Sequence, residues 1–212
     1  ATWKIVPSVE LSGGARWSSD KRQSYQQSLP LAATAANGVF PQNRRFDDNF
    51  NDTDLSPEVS LSWKPSDDVT LYAAYKQGYK SGGFNLSQTI TAAASLRAGQ
   101  FKSETAEGVE IGMHGVLLGR QLRINAAVYD YEYNDLQVQF FDPISTGQIV
   151  ANAGALNTKG FEVDFSFEPS ALDGLRLRGA YAYNEAKYKD FIGQCYGGQT
   201  PAGGCNLQPN TA

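Results

Sequence analysis

The stretch Gly160–Tyr181, GFEVDFSFEPSALDGLRLRGAY, decides how the rest of the chain is read. Phe161, Val163, Phe165 and Phe167 alternate strictly with Glu162, Asp164, Ser166 and Glu168, the period-2 signature of a strand with two unlike faces. One face is oil and the other is charged. Pro169 to Gly174 supplies turn residues, after which Leu175, Leu177 and Tyr181 alternate with Arg176, Arg178 and Ala180. The pattern predicts an antiparallel hairpin. A soluble sandwich and a membrane barrel would both alternate in this way, so the choice between them falls to the other segments.

Working outward, the 212 residues carry a net charge of -4 and a pI near 5.0, which excludes a nucleic-acid surface. No apolar run approaches the ~18 residues of a transmembrane helix, but a membrane barrel needs none because half of its residues face a wet lumen. The 21 glycines and the 22 tyrosines and phenylalanines, beside one Met and one His, suit strands, turns and an aromatic belt rather than helices. No signal peptide opens the chain, and Ala1–Ile5 already reads as strand, as expected of an internal or mature piece. Cys195 and Cys205 enclose a Gly-rich polar segment, a spacing that reads as a loop disulfide formed in an oxidising compartment, with two free thiols as the other reading.

Taken in order, Trp3 to about Tyr25 reads as one long strand and Gln26–Asp54 as a long loop. Leu55–Pro65 is the second strand, and Ser66–Asp68 turns it into a third that ends near Tyr79. Ser81 to about Phe101 is a second long loop, followed by a fourth strand through Val109, Ile111 and Met113 and a short turn at Leu118–Arg120. The fifth strand begins Leu122, Ile124, Ala126, Val128, but then Asp130, Glu132 and Asn134 occupy the apolar parity. That switch reads as a strand rising out of hydrocarbon with Tyr129, Tyr131 and Tyr133 near headgroup level, a register-flipping bulge being the competing account. A connection around Pro143–Gln148 leads into the sixth strand, the seventh runs to about Tyr188, and Lys189–Ala212 is loop.

Three regularities separate lipid from water. Short turns fall on one side of these strands and long connections on the other. Charge keeps to one parity in the central strands, with Glu107 the exception, as expected where a Lys or Arg on the lipid face costs about 2–4 kcal/mol at the midplane. Seven strands leave both edges open, and lipid tolerates no unpaired edge, so the strands are expected to belong to a larger barrel. The expected fold is all-β, a transmembrane antiparallel barrel slice with short periplasmic turns and long extracellular loops.

The phrases LSPEVSLSWKPSDDVTLYAAYKQGYKSGGFN (Leu55–Asn85), FKSETAEGVEIGMHG (Phe101–Gly115), LRINAAVYDYEYNDLQVQ (Leu122–Gln139) and NAGALNTKGFEVDFSF (Asn152–Phe167) resemble the β-barrel domain of TonB-dependent outer-membrane receptors, in order and over roughly Trp3–Phe191. The resemblance implies a slice of a barrel of about 22 strands, closed by a plug that lies outside these residues. Residues 1–212 would then be part of that one domain. It further implies active import of a ferric siderophore or another scarce ligand through the TonB-ExbB-ExbD complex, at the bacterial outer membrane. No plug, TonB box or closing strand is read in these residues. The inward parity, with Lys4, Arg16, Glu58, Lys76, Glu110 and Asp164, suits water or a plug rather than a core.

Tyr79, Lys80, Phe84 and Asn85 around Ser81–Gly83 could form an aromatic and cationic ligand rim, against the simpler role of a loop-shaping turn with interface aromatics. Arg44, Arg45 and Arg97 in the outer loops could attract an anionic iron chelate or a lipopolysaccharide phosphate, against plain contact with lipid or solvent. Asp47, Asn49, Asn51, Thr53 and Glu58 match calcium-loop spacing, but Asp52 stands where that loop needs glycine. His114 is the single His, so neither a His-based metal site nor a His-dependent triad is expected, and no cofactor is implied. A passive porin is the second functional reading and an outer-membrane hydrolase the third.

Overall fold

The computed structural model describes residues 1–27, 45–86, 99–142, 147–189 and 191. Eight strands form one antiparallel sheet: β1 (Thr2–Val6), β2 (Val9–Gln27), β3 (Arg45–Ser66), β4 (Val69–Lys80), β7 (Glu104–Leu117), β8 (Leu122–Asn134), β11 (Leu156–Phe167) and β12 (Leu177–Tyr188), each beside the next in that order. Two small two-stranded sheets lie in the connections, β5 (Gly83–Phe84) with β6 (Gln100–Phe101) and β9 (Gln137–Asp142) with β10 (Gly147–Asn152).

The register turns separate alternations into two continuous surfaces. Trp3, Leu11, Leu61, Ala73, Ile111, Val128, Phe161 and Tyr183 stand opposite one another in one row across all eight strands. A neighbouring row on the other face reads Lys4, Glu10, Ser62, Tyr72, Gly112, Ala127, Glu162 and Ala182. Among the described residues nothing covers the apolar face: Ile111 is 59% exposed, and the only buried apolar side chains are Ala74, Ile149 and Ala153. A water-soluble sandwich would have buried Phe161 and Leu177, which are 40% and 47% exposed. Lipid is the solvent that makes such a surface stable.

The apolar band runs obliquely to the rows. On β2 and β3 it climbs to Trp17 opposite Leu55, well above the row of Leu11, whereas on β12 Tyr183 in that same row is its last member. A membrane plane that crosses hydrogen-bonded rows at a slant is what tilted barrel strands produce. Above the band the outward face becomes ionic. Lys159 and Lys187 flank Glu185 at 3.4 and 2.5 Å, and Lys189 meets Glu132 at 2.6 Å. The hydrogen bond from Lys187 holds the Glu185 carboxyl below its usual range. Glu107, also on the outward face, accepts from the Tyr75 hydroxyl at 2.8 Å.

Several boundaries differ from the sequence reading. Trp3–Tyr25 is a hairpin, turned at Pro7 and Ser8 with Val6 opposite Val9, so the sheet has eight strands rather than seven. Residues 45–54 are strand rather than loop, because β3 follows β2 without a register shift up to Gln27 opposite Arg45. The segment before the sixth expected strand forms the separate β9–β10 hairpin. β8 keeps one register with both neighbours from end to end, which removes the bulge, and Tyr129 and Tyr131 face inward, over Gly160 and Gly108 of the neighbouring strands. The connections β1–β2, β3–β4, β7–β8 and β11–β12 fall on one side, where successive turns bond through Lys64 N–H to Ser8 O and Val116 N–H to Asp68 O.

Ile111→Lys, in the middle of the band, is expected to cost about 2–4 kcal/mol and Thr105→Lys, near its outer end, about 0–1 kcal/mol, measured by urea unfolding of the intact protein in bilayers. Equal costs at the two positions would remove lipid from the apolar face.

Candidate functional site

On the inward face, glycines admit the aromatic rings that build the wall. Tyr72 of β4 lies across from Gly112 and Tyr131 of β8 across from Gly108, and a Cβ at either glycine would collide with the facing ring. Both rings therefore lie flat over β7 and aim at the residue between those glycines. Glu110 accepts from Tyr72 Oη at 2.7 Å and Tyr131 Oη at 3.4 Å, with Lys76 Nζ 3.8 Å away. Below it, His114 stacks on Tyr72 at 5.4 Å, its Nδ1 meets Asn125 Oδ1 at 2.8 Å, and Asn125 Nδ2 donates to Asp164 at 2.9 Å. The result is a polar network across β4, β7, β8 and β11, with titratable groups held in place by rings and amides.

Above the wall, the connections form a canopy tied by side chains that bond to backbone. Asn85 is buried, and its amide copies a strand: Nδ2 donates to Val150 O at 2.8 Å while Oδ1 accepts from Val150 N–H at 2.7 Å. Asn152 serves Lys102 in the same reciprocal way, with Lys102 N–H to Oδ1 at 2.7 Å and Nδ2 to Lys102 O at 3.0 Å. Gln137 Nε2 reaches Ser81 O at 3.1 Å. These bonds join the 81–86 and 99–103 segments to the β9–β10 hairpin. The β2–β3 ribbon joins them through Gln26 Nε2 to Asn85 O at 3.0 Å, Phe50 edge-on to Phe84, and Asp52, whose Oδ2 accepts from Tyr79 Oη and Ser103 Oγ. Gly82 allows a close approach between the two segments, since a Cβ there would sit 2.3 Å from Phe101 O.

Tyr79, Phe84 and Asn85 are thus gathered in the canopy, and Lys80 beside them pairs with Glu104 at 3.4 Å. Arg45 lies at the ribbon's outer end, its guanidinium 4.7 Å over the Tyr25 ring and bonded to Asp47, which raises its pKa further. Arg44, Arg97, Cys195 and Cys205 lie outside the described residues. Asp47, Asn49, Asn51 and Thr53 occupy alternate positions along β3, so the calcium spacing is drawn out along a strand and converges on nothing. Asp52, Ser103, Gln137 and Asn152 escaped the sequence reading because they act on backbone or across long separations. Glu110 was placed on the inward face, but its tyrosine partners become visible only with the register.

A family model described as TonB dependent receptor-like, beta-barrel, matches residues 1–210. The chain belongs to that family of receptor barrels. The family is one of transport receptors of the Gram-negative outer membrane. Among curated relatives, the pesticin receptor of Yersinia enterocolitica is 26% identical over 77% of this chain and 22% of its own length. A probable TonB-dependent siderophore receptor, PiuA, of Acinetobacter baumannii is 25% identical over 87% of this chain and likewise 22% of its own. The chain therefore spans about a fifth of these relatives. Of solved structures, the ferric yersiniabactin uptake receptor FyuA from Yersinia pestis superposes with a TM-score of 0.68 at 20% identity, over 89% of this chain and 26% of that one. The copper transporter OprC does so with a TM-score of 0.66 at 18% identity, over 91% and 29%. At these identities the structures show the shared fold.

Asn85→Ala removes two bonds to the Val150 backbone, a local cost of about 1–3 kcal/mol. Faster amide exchange across residues 147–152 with unchanged exchange in β7 and β8 is the expected result, whereas unchanged exchange in both would show that Asn85 does not tie the canopy.

Proposed function

We propose that these residues form part of the wall and outer loops of an active importer, which takes up a ferric siderophore or a similar scarce ligand with energy delivered through the TonB-ExbB-ExbD complex. The observation that carries the reading is the polar inner network beneath a tied canopy, in a chain of the TonB-dependent receptor family. A lumen-facing wall of fixed acids, tyrosines and amides suits a route for a large polar cargo, and the siderophore-uptake names of FyuA and PiuA support the iron-chelate class.

In this reading Tyr79, Lys80, Phe84, Asn85 and Arg45, with Arg44 and Arg97, shape the outer rim that a ligand meets first. Lys80 and Arg45 offer positive charge toward an anionic chelate, although each has an acid beside it. The arginines would also meet lipopolysaccharide phosphates at the membrane surface.

Deletion of the gene should abolish growth on one ferric chelate within a panel of siderophores, vitamins and oligosaccharides under iron starvation. Uptake of that chelate should stop when the proton gradient is collapsed. Normal iron uptake with a defect in vitamin or sugar import would overturn the siderophore class, and uptake that survives collapse of the gradient would make the protein a passive porin.

A further inference from the structure

The lipid-facing surface changes character at the top of the apolar band, and the change differs from one sector of the sheet to another. Above Trp17 and Leu55 the next outward pair on β2 and β3 is Ser19 and Thr53, both uncharged. Above Phe161 and Tyr183 the next outward pair on β11 and β12 is Lys159 and Glu185, followed by Asn157 and Lys187. Lys189 continues the same parity, its N–H bonded to Ala155 O. Just above the band, three outward lysines thus stand against one outward acid on this pair of chain segments.

Two of the lysines share that acid. Glu185 Oε1 lies 2.5 Å from Lys187 Nζ and Glu185 Oε2 lies 3.4 Å from Lys159 Nζ, so one carboxylate holds two ammonium groups and the trio keeps a positive charge. The neighbouring outward acids are turned to partners of their own, Glu132 to Lys189 at 2.6 Å and Asp130 to the Asn157 amide at 2.6 Å. An ammonium carries three N–H groups, and the side chains of Lys159 and Lys187 remain 57% and 69% exposed, so both keep donors for a further anion. A surface ion pair is weak, which lets that anion compete with Glu185.

What lies directly beneath the lysines says which anion. The Phe161 ring is 5.7 Å from Tyr181 and 6.0 Å from Tyr183, an aromatic shelf on the same outward face at the upper edge of the band. A molecule that meets both tiers has acyl chains below and an anionic head above, and a water-soluble anion has no use for the shelf. Cationic side chains beside a membrane surface attract the phosphates of its lipids. We propose that Lys159 and Lys187, standing over Phe161, Tyr181 and Tyr183, form a docking surface for a phosphorylated glycolipid of the outer leaflet, the lipid A of lipopolysaccharide. The surface lies outside the bore, and neither the import route nor the rim arginines take part in it.

The test is photocrosslinking in the intact receptor, held in phosphatidylcholine nanodiscs that contain a small fraction of diphosphorylated lipid A as probe. A photoreactive p-benzoylphenylalanine replaces Tyr183 in one protein and, as the control at the band's edge in the uncharged sector, Trp17 in another. The yield of lipid A adduct at position 183 is expected to exceed that at position 17 about tenfold. Lys159→Gln together with Lys187→Gln should bring it down to the control level, and the paired Arg substitutions, which keep both charges, should restore it. Dephosphorylated lipid A should react equally at the two positions. Heat-modifiable gel migration confirms that each variant is folded. Equal yields of phosphorylated lipid A at 183 and 17, or a yield at 183 that ignores either the phosphates or the Lys→Gln pair, overturns the proposal.

Discussion

A peptide bond in hydrocarbon has no water to satisfy it, so every N–H and C=O at membrane depth must find a partner on a neighbouring strand. Register follows from that demand. Once Leu11 is set opposite Leu61 and Leu61 opposite Ala73, a slip of one residue anywhere would turn a strand's charges into lipid. The single apolar row from Trp3 to Tyr183 is thus a consequence of backbone bonding as much as of side-chain preference.

Freedom increases with height. Within the band, one face answers to lipid and the other carries tyrosines laid over glycines, Glu110 and the His114 stack. Above it neither face meets hydrocarbon, and partners are chosen by hydrogen-bonding capacity. Surface ion pairs such as Lys159 with Glu185 contribute little stability there. The canopy depends instead on amides that bond to backbone, such as those of Asn85 and Asn152.

Alternation revealed the faces of β4, β7, β8, β11 and β12, because a strand between lipid and water carries its environment in its parity. The first hairpin was hidden for a specific reason: the two-residue turn at Pro7 and Ser8 would by itself reverse the parity, but the register shift between Lys4 and Val6 restores it, so Ile5 and Val9 alternate as one continuous strand would. The upper half of β3 was missed because Arg45–Asp54 is polar on both faces and offers no contrast. Of the candidate rim, Tyr79, Phe84 and Asn85 were legible from a local Gly-rich turn. Their partners Asp52 and Val150 lie far along the chain, and no periodicity encodes such a tie.

The manner in which Asn85 and Asn152 grip their neighbours bears on how such a protein can change over generations. Each engages a main-chain N–H and C=O, which every amino acid but proline possesses, so the side chain of Val150 or Lys102 is immaterial to the joint. Residues between these fastenings can mutate freely while the scaffold over the pore keeps its shape, and selection can retune what the outer surface recognises without rebuilding the cylinder beneath.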